Sequence, residues 1–252
     1  MALLESGLQR RAARALERQL DYQREREARL KAREERLTLE MRRHSANIRA
    51  RLEAVRPIAV DAPVLEVGSG AHGIIFYFGT SNGYGVDPLA DHYREMFPDL
   101  HSRATTLAAP GEELPFPDAA FDVVLCDNVV DHAKEPQGIL KEIARVTRPG
   151  GLLYFEVNVH HPFYHWAASL HAGWRALGIP FEITPFADHT FHFTRAGAAR
   201  LFDGLPFKLV SESDTLAAEA QRQRALPLRR PSDLLKRLFV KNAAYEVVAI
   251  RA

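Results

Sequence analysis

The stretch Val64-Leu65-Glu66-Val67-Gly68-Ser69-Gly70-Ala71-His72-Gly73 decides how the chain is read. Four strand-forming residues with a carboxylate among them run straight into three glycines spaced G-x-G-x-x-G. A sharp turn from strand to helix at the carboxyl edge of a parallel sheet needs residues without Cβ, so that the backbone can reverse and come close to a ligand. Gly68, Gly70 and Gly73 supply them. Taken alone, the spacing also fits a dinucleotide fingerprint, with Asp87 as the acid some way downstream, so a NAD(P) enzyme stays open. Glu66 argues the other way. An acid two residues before the first glycine is awkward beside a pyrophosphate and useful beside a cationic aminoacyl group.

Outward from this stretch, apolar runs recur at "GYGVD", "FDVVLC" and "LLYFEVNV", separated by loops or by helical stretches such as "PQGILKEIARVT". The alternation predicts a parallel α/β sheet covered on both faces. "FKLVSESD" and "AYEVVAIRA" are expected as the last two strands.

Upstream the pattern is different. From Leu8 to Val55 there is neither Gly nor Pro, and strong helix formers dominate, which predicts a long helix or helical hairpin. Acids and bases interleave there, as in Glu25 to Arg29 and Glu27 to Lys31. Leu16, Leu20, Leu30, Leu37, Met41, Ile48 and Leu52 form an imperfect apolar stripe, suited to packing on the main domain or on a second copy of the chain. The expected organisation is a helical extension over 1–56 and a catalytic domain over 57–252.

The 252 residues carry a formal net charge of +1, which gives no global pull toward nucleic acid or membrane. Charge is nonetheless segregated: residues 1–55 hold 14 Lys plus Arg against 9 Asp plus Glu. Cys126 is the single cysteine, which excludes an internal disulfide and suits a reducing compartment. No apolar run reaches the roughly 20 residues of a spanning helix, and a cytoplasmic protein is expected.

Five pieces in order, "VLEVGSGAHG", "GYGVDP", "EELPFPDAAFDVVLCDNVVDH", "RVTRPGGLLYFEV" and "AYEVVAIRA", resemble the class I S-adenosylmethionine-dependent methyltransferases, especially the small-molecule group that includes quinone-biosynthesis enzymes. The resemblance runs from about Ala62 to the C-terminus. It implies a Rossmann-like, seven-stranded, mostly parallel sheet with an antiparallel last strand, and S-adenosyl-L-methionine as cofactor. Gly68, Ser69 and Gly70 would pass under its methionine part, with Glu66 near the amino group. Asp87, followed by Pro88, would accept from the ribose hydroxyls. Gly111, Glu112 and Leu114 would line the adenine edge. Pro110 stands where the family commonly has an aspartate, so Glu112 or backbone carbonyls must serve the adenine amino group. Asp127 and Asn128 would sit on the methyl-bearing side.

Candidate bases are His132, at a position where the family often carries histidine, and His160 or His161 at the end of the fifth strand. Side chains alternate along a strand, so His160 and His161 cannot both face a pocket if the strand continues. His165, His171, His189 and His192 follow, but no acid or cysteine accompanies them at a recognised ligand spacing, so no metal is expected. The aromatic-rich segment 163–188 resembles a substrate lid. The predicted activity is methyl transfer to a small organic molecule, at oxygen. The alternatives are a silent cofactor-binding scaffold, built around the N-terminal helix, and a nucleic-acid methyltransferase, which would show strongly salt-dependent binding.

Overall fold

The structure, a computed structural model, describes residues 34–160, 162, 191–225, 227 and 243–252. Seven strands form one sheet: β1 Val64–Val67, β2 Gly83–Val86, β3 Thr105–Leu107, β4 Phe121–Asp127, β5 Thr147–Val159, β6 Phe207–Asp214 and β7 Ala243–Arg251. Their spatial order is β3-β2-β1-β4-β5-β7-β6. The first five run parallel, and β7 lies antiparallel between β5 and β6. The order reverses between β1 and β4, the switch point outside which open α/β sheets bind ligands.

The helices are α1 Glu34–Glu53, α2 Ala90–Met96, α3 Pro98–His101, α4 Pro136–Val146, α5 Arg195–Ala199 and α6 Leu216–Ala225. One sheet face packs Val67, Val124, Phe155 and Val247 against Ile139, Leu140 and Ile143 of α4 and against Leu201 and Phe202. The other face packs Val64, Leu125, Tyr154 and Val248 against Ile48 and Leu52 of α1 and against Ile74 to Phe76. Cys126, in the middle strand, is fully buried, and burial pushes its thiol pKa well up.

α1 is thus a layer of the domain itself. Met41, Ser45, Ile48 and Leu52 recur at helical spacing, and the last three are buried. Arg49 fixes the helix from the rim: its guanidinium donates to the carbonyls of Phe78, Gly79 and Ile58 at 2.8 to 3.0 Å. The stripe residues Leu16, Leu20 and Leu30 lie outside the described residues, as do the whole lid-like segment 163–188 and the histidines His161, His165, His171 and His189. No helix among the described residues is long and apolar enough to cross a membrane.

One expectation changes at the decisive stretch. The glycine turn leads into a single 3-10 turn, Ile74–Tyr77, in place of a regular helix.

Candidate functional site

A cavity of about 550 Å³ opens at the carboxyl ends of β1, β2 and β4. That is within the roughly 300 to 1,000 Å³ common for small-molecule sites. Its floor is the glycine turn. Gly68 has φ +74°, and a Cβ there would come within 2.3 Å of Val129 Cγ2. Gly70 has φ +52°, and the space where its Cβ would stand is open, so a ligand can approach this backbone directly. Gly68 and Ser69 donate from their backbone nitrogens to Val86 O at 2.7 and 3.1 Å, tying the turn to the end of β2.

Asp87 closes the second side. Its carboxylate accepts from the nitrogens of Gly70 (3.1 Å) and Leu89 (2.8 Å), which orients it at the cavity wall. Burial raises its pKa, and the two N–H donors oppose that rise. Pro88 and Leu89 continue the wall. The third side is the loop Pro110 to Glu113. Glu112 Oε1 accepts from the nitrogens of Lys134 and Glu135, joining this loop to the one after β4. Arg145 anchors the rest of the loop by donating to the carbonyls of Phe116 and Leu114 and to Asp118. Ile139, Val86, Val129 and Ala133 supply apolar walls.

The fourth side follows β4. Asn128 sits at φ +55°, a left-handed conformation that asparagine tolerates better than most residues. Its side-chain oxygen accepts from Asn158 Nδ2, and its backbone nitrogen donates to Glu156 O at 2.9 Å. His132 also lines the cavity, with Nε2 3.8 Å from Asp131 Oδ1.

Gly68, Gly70, Asp87, Pro88, Gly111, Glu112, Asn128 and His132 therefore line one cavity. Four others stand elsewhere. Glu66 lies beneath the turn: it is 3% exposed, and its oxygens accept from the nitrogens of Ile74 (3.1 Å) and Ile75 (2.9 Å). Burial pushes its carboxyl up to about 8, despite these two donors. Ser69 is buried against Gly85. Asp127 points to the α1 side of the sheet, where His44 Nε2 lies 2.8 Å from its Oδ2. His160 is 2% exposed, packed with its ring centroid 5.5 Å from that of His192, while its backbone nitrogen donates to Phe193 O. His161 is outside the described residues.

Sequence reasoning missed His44. It stands one turn before Ile48 on the packed side of α1, and only that spacing hinted at its place. The position of Glu66 also bears on the dinucleotide reading. A pyrophosphate site draws on the free N–H groups of a helix N-terminus. Here the helix is one short turn, and two of its N–H groups are taken by Glu66.

Residues 65–155, from β1 into β5, match a family model described as "Methyltransferase domain". An uncharacterized methyltransferase of Mycolicibacterium gilvum (strain PYR-GCK) is 36% identical over 99 residues, 38% of this chain and 39% of that protein. The human thiol S-methyltransferase TMT1B is 40% identical over 62 residues, 24% of this chain and 25% of that protein. The chain thus aligns with no more than about two fifths of either relative. Geranyl diphosphate C-methyltransferase from Streptomyces coelicolor A3(2), solved with Mg2+, geranyl diphosphate and S-adenosyl-L-homocysteine, superposes with TM-score 0.57 at 14% identity. That superposition covers 83% of this chain and 79% of the other.

Proposed function

We propose that this chain, which carries a class I S-adenosylmethionine-dependent methyltransferase domain, transfers a methyl group from S-adenosyl-L-methionine to a small organic acceptor at oxygen. The observation that carries the reading is the glycine floor, closely packed at Gly68 and open at Gly70, with Asp87 held at its edge by two backbone donors. A carboxylate so held faces a vicinal diol with acceptor lone pairs to spare. Leu89, Val86 and Ile139 provide apolar surface for a flat heterocycle. Glu112 already accepts from two backbone nitrogens, so it can reach an adenine amino group only through its remaining lone pairs.

When bound, the cofactor supplies an electrophilic methyl on its sulfonium sulfur. The chain's own task is then to hold the acceptor in line, exclude water and take one proton. Orientation of this kind is worth roughly 7 to 11 kcal/mol. His132 is the described histidine in the cavity wall and is our candidate for the proton. A need for a base favours a hydroxyl or a thiol over a free amine. The local identity with a human thiol S-methyltransferase makes sulfur the second reading. A cytoplasmic location rests on the single, buried cysteine.

Calorimetric titration with S-adenosyl-L-homocysteine and, separately, with NADH tests the reading. Saturable binding of the first alone is expected. Asp87→Ala should weaken it at least tenfold, or about 1.4 kcal/mol, with an unchanged circular dichroism spectrum. Binding of NADH alone, or unchanged affinity in Asp87→Ala, overturns this placement. His132→Ala should retain the affinity and lose turnover.

A further inference from the structure

On the α1 face of the sheet, three metal-ligating side chains from three elements meet. His44 of α1, Asp127 at the end of β4 and Glu156 of β5 each bring one donor atom within 4.8 Å of the others. Asp127 and Glu156 are in register across the parallel β4–β5 pair, and Glu246 continues the row on β7. Like charges directly opposite one another destabilise a sheet unless something answers them. Glu246 is answered by the permanent charge of Arg51. Among the described residues, Asp127 and Glu156 are met by the His44 imidazole and the Tyr154 hydroxyl, which donates to Glu156 Oε2 at 2.8 Å. Neither is a fixed cation.

A divalent ion answers both carboxylates at once. Metal–nitrogen and metal–oxygen bonds of about 2.0 to 2.2 Å place adjacent donor atoms roughly 3 Å apart in a near-octahedral shell. The 2.8 Å between His44 Nε2 and Asp127 Oδ2 matches that edge. The Tyr154 hydroxyl is the outer hydrogen bond that orients a ligating carboxylate. All three donors are half-buried, so an ion can enter yet gains from partial desolvation. One imidazole with two carboxylates suits manganese through zinc better than magnesium or calcium, which favour oxygen alone.

We propose that His44, Asp127 and Glu156 bind one first-row divalent transition-metal ion, clamping α1 to the sheet one residue away from the cavity-lining Asn128. The site was invisible as a spacing because its donors are 83 and 29 residues apart. It stands independently of the methyltransferase reading.

The test is calorimetry of the full chain, stripped with EDTA and dialysed, against ZnCl2, MnCl2 and MgCl2. The expected result is one saturable site for Zn2+ and a weaker one for Mn2+, the former with Kd below about 10 μM, and none for Mg2+. His44→Ala and Glu156→Gln should each weaken Zn2+ at least tenfold. Titrating both variants with S-adenosyl-L-homocysteine reports the cofactor cavity separately, and its affinity should be unchanged. Circular dichroism checks that each variant is folded; Glu156→Gln, which keeps an acceptor for Tyr154, carries the test if His44→Ala does not fold. Absence of saturable binding, or binding that either folded variant leaves intact, overturns the site.

Discussion

Gly68 and Glu66 set the limits of what the turn tolerates. A side chain at Gly68 meets two costs together: the left-handed backbone, about 1 to 2 kcal/mol, and the clash with Val129. Gly68→Ala should therefore lose about 2 kcal/mol or more in urea unfolding, and also lose affinity for S-adenosyl-L-homocysteine. Adding Val129→Ala removes the clash with the two γ-methyls, but leaves the Val129 Cβ at 3.1 Å and the backbone strain, and should recover only part of the stability. Glu66 acts through protons. Its carboxyl is raised from 4.5 to about 8, so between these values the folded chain holds a proton that the unfolded chain has released. The stability it contributes is full below about pH 4.5 and is lost as pH rises through about 8. Glu66→Gln should flatten that dependence when wild type and variant are unfolded in urea at several pH values. It should also cost about 1 to 3 kcal/mol at low pH, because an amide offers one acceptor oxygen to the two N–H groups. The motif made Glu66 visible as a functional acid. Its direction was not legible, since the turn that would either free or consume those N–H groups depends on how Ile74 to Phe76 pack beneath the sheet.

Among the elements, α1 and the 3-10 turn show where local pattern and tertiary packing part. The strands "VLEV" and "FKLVSESD" were readable to the residue, because alternation or a short apolar run bounded by turn residues is a backbone signal. β3, Thr105–Leu107, was not: three residues with two threonines carry no run, and the strand exists because β2 offers it an edge. The stripe of α1 was readable too, but not its partner, since a stripe does not say whether its own domain or another copy will cover it. Here the sheet covers it. Ile48→Ala or Leu52→Ala should accordingly cost about 2 to 5 kcal/mol, as for a core position, measured by chemical denaturation. A stability change near zero would mean that the helix is an appendage.

At the scale of the whole molecule, Cys126 is a reporter of the core. It lies on the central strand, fully buried, with its thiol pKa raised, so the thiolate that reacts with disulfide reagents is scarce and enclosed. Labelling by an aromatic disulfide reagent should be negligible in the native state, and its rate should rise with denaturant in step with the loss of circular dichroism. Labelling ahead of unfolding would show that the sheet opens locally at β4. The placement of β7 between β5 and β6 reaches further, into how the chain is made. β6 leaves the ribosome before β7, yet β7 is its partner in the sheet. α1, synthesised long before, ties Arg51 to Glu246 on that same last strand. Until residues 243–251 have emerged, β5 has an open edge, β6 has no neighbour and α1 lacks that tie. The nascent chain is thus most open to mispairing just before residues 243–251 emerge, and a chain without them would leave β5 and β6 both with unpaired edges.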